Sequence, residues 1–210
     1  MRQCKGSLLL VVFSFAFSFS QAWAQVDHIV IAAGTDEDHA LQAISNEQDA
    51  SKKSAMYQDF VQKFSANPQA VAFGNWQLAQ TSQARGDLGK ALDYGDKALA
   101  AAPRNLDILV SQVSVAQQAK NNLKLIDYAA KGGEVCHSIA KQPKPEGMSD
   151  DDFKQKITQE TAAAQSSCDF LETSGFNVIT TETDPKSRMT EAVRGSLRTW
   201  LHEQPDLTEA

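Results

Sequence analysis

Ala91-Leu92-Asp93-Tyr94 returns further along the chain as Leu125-Ile126-Asp127-Tyr128. At the same offset Lys97 returns as Lys131, and Ala98 as Gly132, which is again too small to hold two helices apart. Outward from this pair, the chain from about residue 37 onward is rich in Ala, Gln, Lys, Asp and Leu, with no sustained alternation of period two. Apolar residues fall three and four apart: Met56, Phe60, Val61 and Phe64; Leu109, Val113 and Ala116; Val193, Leu197, Trp200 and Leu201. That spacing is the signature of amphipathic helices. Breaks are expected at Asn67-Pro68, Gly86-Asp87, Pro103-Arg104, Asn121-Asn122, Pro143 to Gly147, Ser174-Gly175 and Asp184-Pro185. The helices between them should be about 10–20 residues long, as is ordinary for globular proteins. Short helices joined by short turns point to hairpins packed side by side.

The interval from Ala91 to Leu125 matches the helical period of about 34 residues that marks the tetratricopeptide repeat. The middle of the chain resembles that family, most clearly over Ala72 to Asn105. Leu78 and Ala79 stand at the family's first-helix Leu and small-residue positions, Gly86-Asp87 at its turn, Ala91 and Ala98 at its second-helix small positions, and Pro103 where a proline ends that helix. Small residues allow close helix approach, Gly closes a helix end and Pro stops one. There are departures. Trp76 is one place later than the usual Trp, Ser82 replaces a Tyr, and Gly95 stands where a large apolar residue is common. The next repeat, 106–139, is weaker. It has Lys120-Asn121 for Gly-Asp, Leu125 for a small residue and His137 for the Pro. Val178 to Asp184 parallels Ala43 to Asp49, either by chance or because the ends are degenerate copies. In the second case the chain holds four hairpins. Asp49 and Asp184 both suit a helix N-cap, the latter followed by Pro185 at the first helical position.

The resemblance implies an all-α chain, with antiparallel helix hairpins stacked as a short right-handed superhelix over 37–204. It also implies a concave surface lined by the first helix of each repeat. The positions on that surface are Phe73, Trp76, Gln80 and Gln83 from one repeat and Asp107, Val110, Ser114 and Gln117 from the next. Phe73 and Trp76 share a helix face. Either they anchor a bound partner, as large aromatics do, or they pack between helices. Asn75 is one place off this register and none of the eight positions is basic, so an acidic C-terminal peptide is not the expected ligand.

Residues 1–24 have the form of a signal peptide. Arg2 and Lys5 precede an apolar run from Leu8 to Phe19, and Ala22-Trp23-Ala24 offers a cleavage site before Gln25. The run is shorter than the ~20 residues that span a bilayer. The mature chain is therefore expected in the periplasm or medium, with no transmembrane segment. Residues 25–36 are expected to be loose and 205–210 to fray.

The whole chain carries 20 basic and 26 acidic residues, for a net −6. Without Arg2 and Lys5 the charge is −8, which gives no electrostatic footprint for nucleic acid. Cys136 and Cys168 remain after cleavage. If their helices fold back at Pro143–Gly147, Cys168 lies ~20 Å past the point opposite Cys136. They are therefore expected to be unpaired, buried as small apolar side chains.

No catalytic signature is present: no H-E-x-x-H, P-loop, G-x-G-x-x-G or G-x-S-x-G. His28, His39, His137 and His202 lack metal-ligand spacing. Ser149-Asp150-Asp151-Asp152 lacks the Gly and distal Glu of a calcium loop and is better read as a helix cap followed by acids at a helix N-terminus. No cofactor or metal is expected. The resemblance, with the signal peptide, implies a non-enzymatic interaction scaffold of the cell envelope that binds a peptide or partner protein. The alternative is a structural subunit of a self-assembling or membrane-associated complex, docking through apolar surface around Leu197, Trp200 and Leu201.

Overall fold

The computed structural model describes residues 26–181. Seven helices follow one another among them: α1 (Asp36–Asn46), α2 (Ala50–Lys63), α3 (Pro68–Ala84), α4 (Leu88–Ala101), α5 (Leu106–Gln118), α6 (Asn122–Ile139) and α7 (Asp150–Thr181). The fold is all-α, with no strand among the described residues. Each helix packs on its neighbours in sequence, and α5 also packs on α7. The signal-peptide residues, Asp184-Pro185, the apolar row Val193 to Leu201 and the tail lie outside the described residues.

Local chemistry explains the punctuation. Asp49, Asp87 and Asn121 each cap the second helix of a hairpin, their side-chain oxygens accepting N–H groups of the first turn. Asn67 and Asn105 do the same for α3 and α5. Each such cap stabilises its helix by about 1 kcal/mol.

The α3–α4 and α5–α6 turns are copies of one another. Gly86 N–H donates to Gln83 O at 2.9 Å and Asp87 N–H to Ser82 O at 2.9 Å. One repeat later Lys120 N–H donates to Gln117 O at 3.0 Å and Asn121 N–H to Ala116 O at 2.9 Å. Gly86 has φ +78° and Lys120 has φ +52°, so the turn demands a left-handed residue in both repeats. Lysine adopts that conformation at a steric cost that glycine escapes.

The burial pattern repeats as well. Ala91, Leu92 and Ala98 are buried on α4, and Leu125, Ile126 and Gly132 on α6. The first hairpin is out of step. The interval between the caps Asp49 and Asp87 is longer than that between Asp87 and Asn121. The difference lies in α3, which has 17 residues where α5 has 13. That is about one extra helical turn.

Two apolar clusters form the core. The larger runs from Ala72 through α4, α5 and α6 to Ala164 and Leu171 on α7. The smaller joins Ile44, Tyr57, Phe60, Ala70 and Leu78 across α1, α2 and α3.

Three expectations need correction. The break at Ser174-Gly175 does not occur, and α7 runs unbroken through 32 residues. Both residues are buried. A Cβ on Gly175 would lie 3.0 Å from the Ala129 Cβ, so the small pair serves close packing on α6 instead of chain reversal.

Cys136 and Cys168 are bonded, with Cα atoms 5.9 Å apart. Gly175 against Ala129, Leu171 against Gly132 and Cys168 against Cys136 set one antiparallel register. In that register the end of α6 is level with about residue 165 of α7. Asp150 lies about 15 residues earlier, ~22 Å beyond the end of α6. The chain covers that distance as a non-helical strap through Pro143 and Pro145, whose rings oppose helix, before it turns at Pro145–Met148 into α7. Gln142 Nε2 donates to Glu160 Oε2 at 2.6 Å, and Lys156 Nζ to Gln142 Oε1 at 3.4 Å, which lays the strap along α7. The chain does turn near Pro143–Gly147, with Met148 N–H donating to Pro145 O at 3.2 Å, but α6 ends at Ile139, short of that turn, and this is what brings Cys136 level with Cys168.

Of residues 25–36, expected to be loose, Asp36 already begins α1, and residues 26–35 contain no strand but are held by hydrogen bonds. Asp27 N–H donates to Arg104 O at 3.2 Å, and Arg104 N–H to Asp27 Oδ2 at 2.9 Å. Asn105 Nδ2 donates to Asp27 O at 2.8 Å, and Val30 N–H to Gln69 Oε1 at 3.2 Å.

Two outcomes follow. Lys120→Gly should raise stability by about 0.5–1 kcal/mol in chemical denaturation, since it removes left-handed strain. The oxidised protein lacking residues 1–24 should show no free thiol after unfolding, and reduction should cost about 2–4 kcal/mol of stability.

Candidate interaction face

The eight positions expected on the concave surface divide into two groups. Gln80 on α3 and Asp107 and Gln117 on α5 are exposed, and Gln83 and Ser114 are half-buried. Gln117 Nε2 lies 3.5 Å from Ser174 Oγ, so the end of this row reaches α7. Ser114 Oγ donates to Val110 O at 3.1 Å on its own helix. The aromatic and aliphatic members lean inward. Phe73 packs on the smaller cluster, and Trp76 and Val110 on the larger. Phe73 and Trp76 are both half-buried, so each keeps an accessible edge. The indole Nε1 of Trp76 is buried with no hydrogen-bond partner. Asn75 is buried and donates to Val71 O at 2.9 Å on its own helix, facing away from the row.

Other polar groups work inside the stack. Gln112 on α5 is fully buried, and its amide has no hydrogen-bond partner. It fills the space over Gly95, where a Cβ would lie 1.9 Å from the amide carbon. The departure at Gly95 is therefore complementary to Gln112. Between α4 and α6, Asp96 receives a hydrogen bond from Tyr128 Oη at 2.8 Å and an ion pair from Lys124 at 2.7 Å. Tyr128 is fully buried. Burial first, and then the Asp96 carboxylate, hold its hydroxyl well above the usual tyrosine range.

Of the histidines, His28 and His39 are exposed, His137 is half-buried and His202 lies outside the described residues. No group of three or more His, Cys, Asp or Glu among the described residues is arranged to hold a metal ion. Ser149 Oγ accepts from Asp152 N–H at 3.1 Å and donates to Asp152 Oδ2 at 2.7 Å, which is a helix cap. No helix among the described residues is long and apolar enough to cross a membrane.

Sequence reasoning missed a hollow of about 130 Å³ beside this face, walled by the N-terminal segment, the start of α5 and the middle of α7. Asp27 and Asn105, which anchor that segment, carried no motif. Their pairing joins two points far apart in the chain.

No protein-family model matches the chain, and neither does any curated protein or solved structure.

The Tyr128 contact has a measurable sign. A raised hydroxyl value means that the folded state holds the proton more tightly. The stabilisation is complete below the unfolded tyrosine value of about 10 and fades as pH rises beyond it. Tyr128→Phe should cost about 1 kcal/mol at neutral pH and reduce the loss of stability seen above about pH 10. Denaturation midpoints across alkaline pH would read both effects.

Proposed function

We propose that this chain is an exported, non-enzymatic scaffold of tetratricopeptide-like repeats stacked as a right-handed superhelix. It holds a peptide or partner protein of the cell envelope on the surface formed by α3 and α5. The observation that carries this reading is the polar row of Gln80, Gln83, Asp107 and Gln117. These residues stand on the first helices of two consecutive hairpins, all four at least partly exposed, while the apolar residues between them turn inward. A polar row on a rigid helical array offers directional hydrogen bonds at little ordering cost.

Export is supported from two directions. Residues 1–24 have the n-region, apolar run and small-residue cleavage site of a secretory signal. The Cys136–Cys168 bond suits an oxidising compartment.

The test is a crosslinking pull-down of tagged mature protein from its own cell envelope, read by mass spectrometry beside a Gln80→Lys, Gln83→Lys, Gln117→Lys variant. A dominant partner captured by the wild type and lost in the variant is the expected outcome. A partner retained by the variant would move the binding surface elsewhere, and no partner at all would favour self-assembly.

A further inference from the structure

The N-terminal segment crosses the starts of α3 and α5 and reaches the middle of α7. Val26 lines the hollow between Leu106 and Asp107 of α5 and Glu160, Ala164 and Ser167 of α7. Asp27 binds at Arg104 and Asn105, just before α5. Val30 binds at Gln69, the second residue of α3. Ile29 packs on the larger core cluster and Ile31 on the smaller. The segment then turns at Gly34 (φ +78°) into α1.

Its mode of attachment is that of a bound peptide. Side-chain amides grip its backbone: Asn105 Nδ2 at the Asp27 carbonyl and Gln69 Oε1 at the Val30 N–H. Asn105 is only 3% exposed, and its Oδ1 is fixed by capping Ile108 N–H at 2.9 Å. The donor is therefore preorganised whether or not the segment is present. The Asp27 carboxylate takes the Arg104 N–H immediately before the N-terminus of α5, where a negative charge is favoured. The attachment is also incomplete. Val30 is 69% exposed, and Val26 lines only one side of the hollow between α5 and α7.

We propose that the track from Gln69 through Arg104 and Asn105 to the α5–α7 hollow is a binding site for an extended peptide. The fitting ligand has the pattern apolar–Asp–x–apolar–x–apolar, set by Val26, Asp27, Ile29 and Ile31, and residues 26–31 occupy the site as a tethered, displaceable pseudo-ligand. The proposal rests on the scaffold reading for the existence of a peptide partner, but its track meets the polar row only at Asp107 and includes none of the row's glutamines. A partner carrying this pattern competes with a segment whose tether gives it an effective concentration on the millimolar scale. Binding is therefore weak until the segment is displaced.

The test uses a fluorescently labelled peptide with the sequence of residues 25–34 and the mature protein, read by anisotropy. The peptide should bind an Asp27→Ala, Ile29→Ala variant at least tenfold more tightly than it binds wild type, because the tethered competitor is weakened. The same peptide with Ala at its own Asp position should bind that variant at least tenfold more weakly, a comparison that does not depend on any further change to the protein. Adding Gln69→Ala to the variant should weaken binding several-fold; the Gln69 side chain is outside the core clusters, so folding is not at stake. Absence of saturable binding to the folded variant up to about 1 mM, the scale of the tethered competitor, would overturn the proposal. So would equal binding of the Asp and Ala peptides. Either failure leaves the pull-down result on the glutamine row standing, and failure of the pull-down leaves this titration interpretable.

Discussion

Where the second helix of one hairpin meets the first helix of the next, one of the two helices lacks a side chain at the point of contact. Between α2 and α3 it is Gly74, under Val61 and Phe60; between α4 and α5, Gly95, under Gln112; between α6 and α7, Gly132, under Leu171. A Cβ at any of the three would lie within 2.5 Å of the facing side chain. These contacts set the depth to which each hairpin seats in its neighbour, and so the position of every other element. The helix identities vary at the three junctions, and so does the facing residue. The need for one missing side chain at closest approach does not, since interiors packed to crystal-like density leave no room for both. The α4–α5 junction is the unusual one, because a buried, unpartnered amide fills the gap there. An orphaned buried amide costs stability, so that contact fixes fit at some energetic expense.

How much of this was legible beforehand depends on the range of the interaction. Caps and turns were readable because they are decided within four residues. Asp49, Gly86-Asp87, Asn121 and Ser149 all act where sequence reading places them. The register between the two central repeats was readable because both copies of the turn keep the same hydrogen bonds, even with lysine in the left-handed position. The extra turn of α3 was not readable, because an insertion close to one helical turn leaves the apolar face nearly in phase. Ser174-Gly175 was misleading for a related reason. The residues that break a helix in solvent are the ones that let a buried helix approach another, and only the partner decides between the two.

The interaction face was legible as a set of helix positions and illegible as a surface. Periodicity separates Gln80, Asp107 and Gln117 from the core, and they are exposed. It says nothing about the angle at which Phe73 and Trp76 lean, and they lean onto two different clusters. The disulfide shows the same limit. Its geometry depends on where α6 ends relative to the turn before α7: α6 stops at Ile139, and non-helical chain runs on before the turn at Pro145–Met148. Proline marks the end of a helix reliably, but the distance travelled before the next one begins is set by the contacts of Gln142 and Lys156 along α7.

A row of stacked hairpins is a nearly one-dimensional object, in which each unit feels only its neighbours and the ends can peel away singly. The chain before α1 breaks that rule. By reaching past α3 to α5 and α7, it links the first hairpin to the third directly, closing a long loop through Asp27 and Asn105. The covalent bond between α6 and α7 ties the last described helix to its neighbour. Among the described residues, both outer elements are tied inward, the segment before α1 at Asn105 and α7 at Cys136. The melting of an array tied in this way should resemble that of a compact domain more than that of a solenoid, and its cooperativity depends on a few residues that belong to no helix.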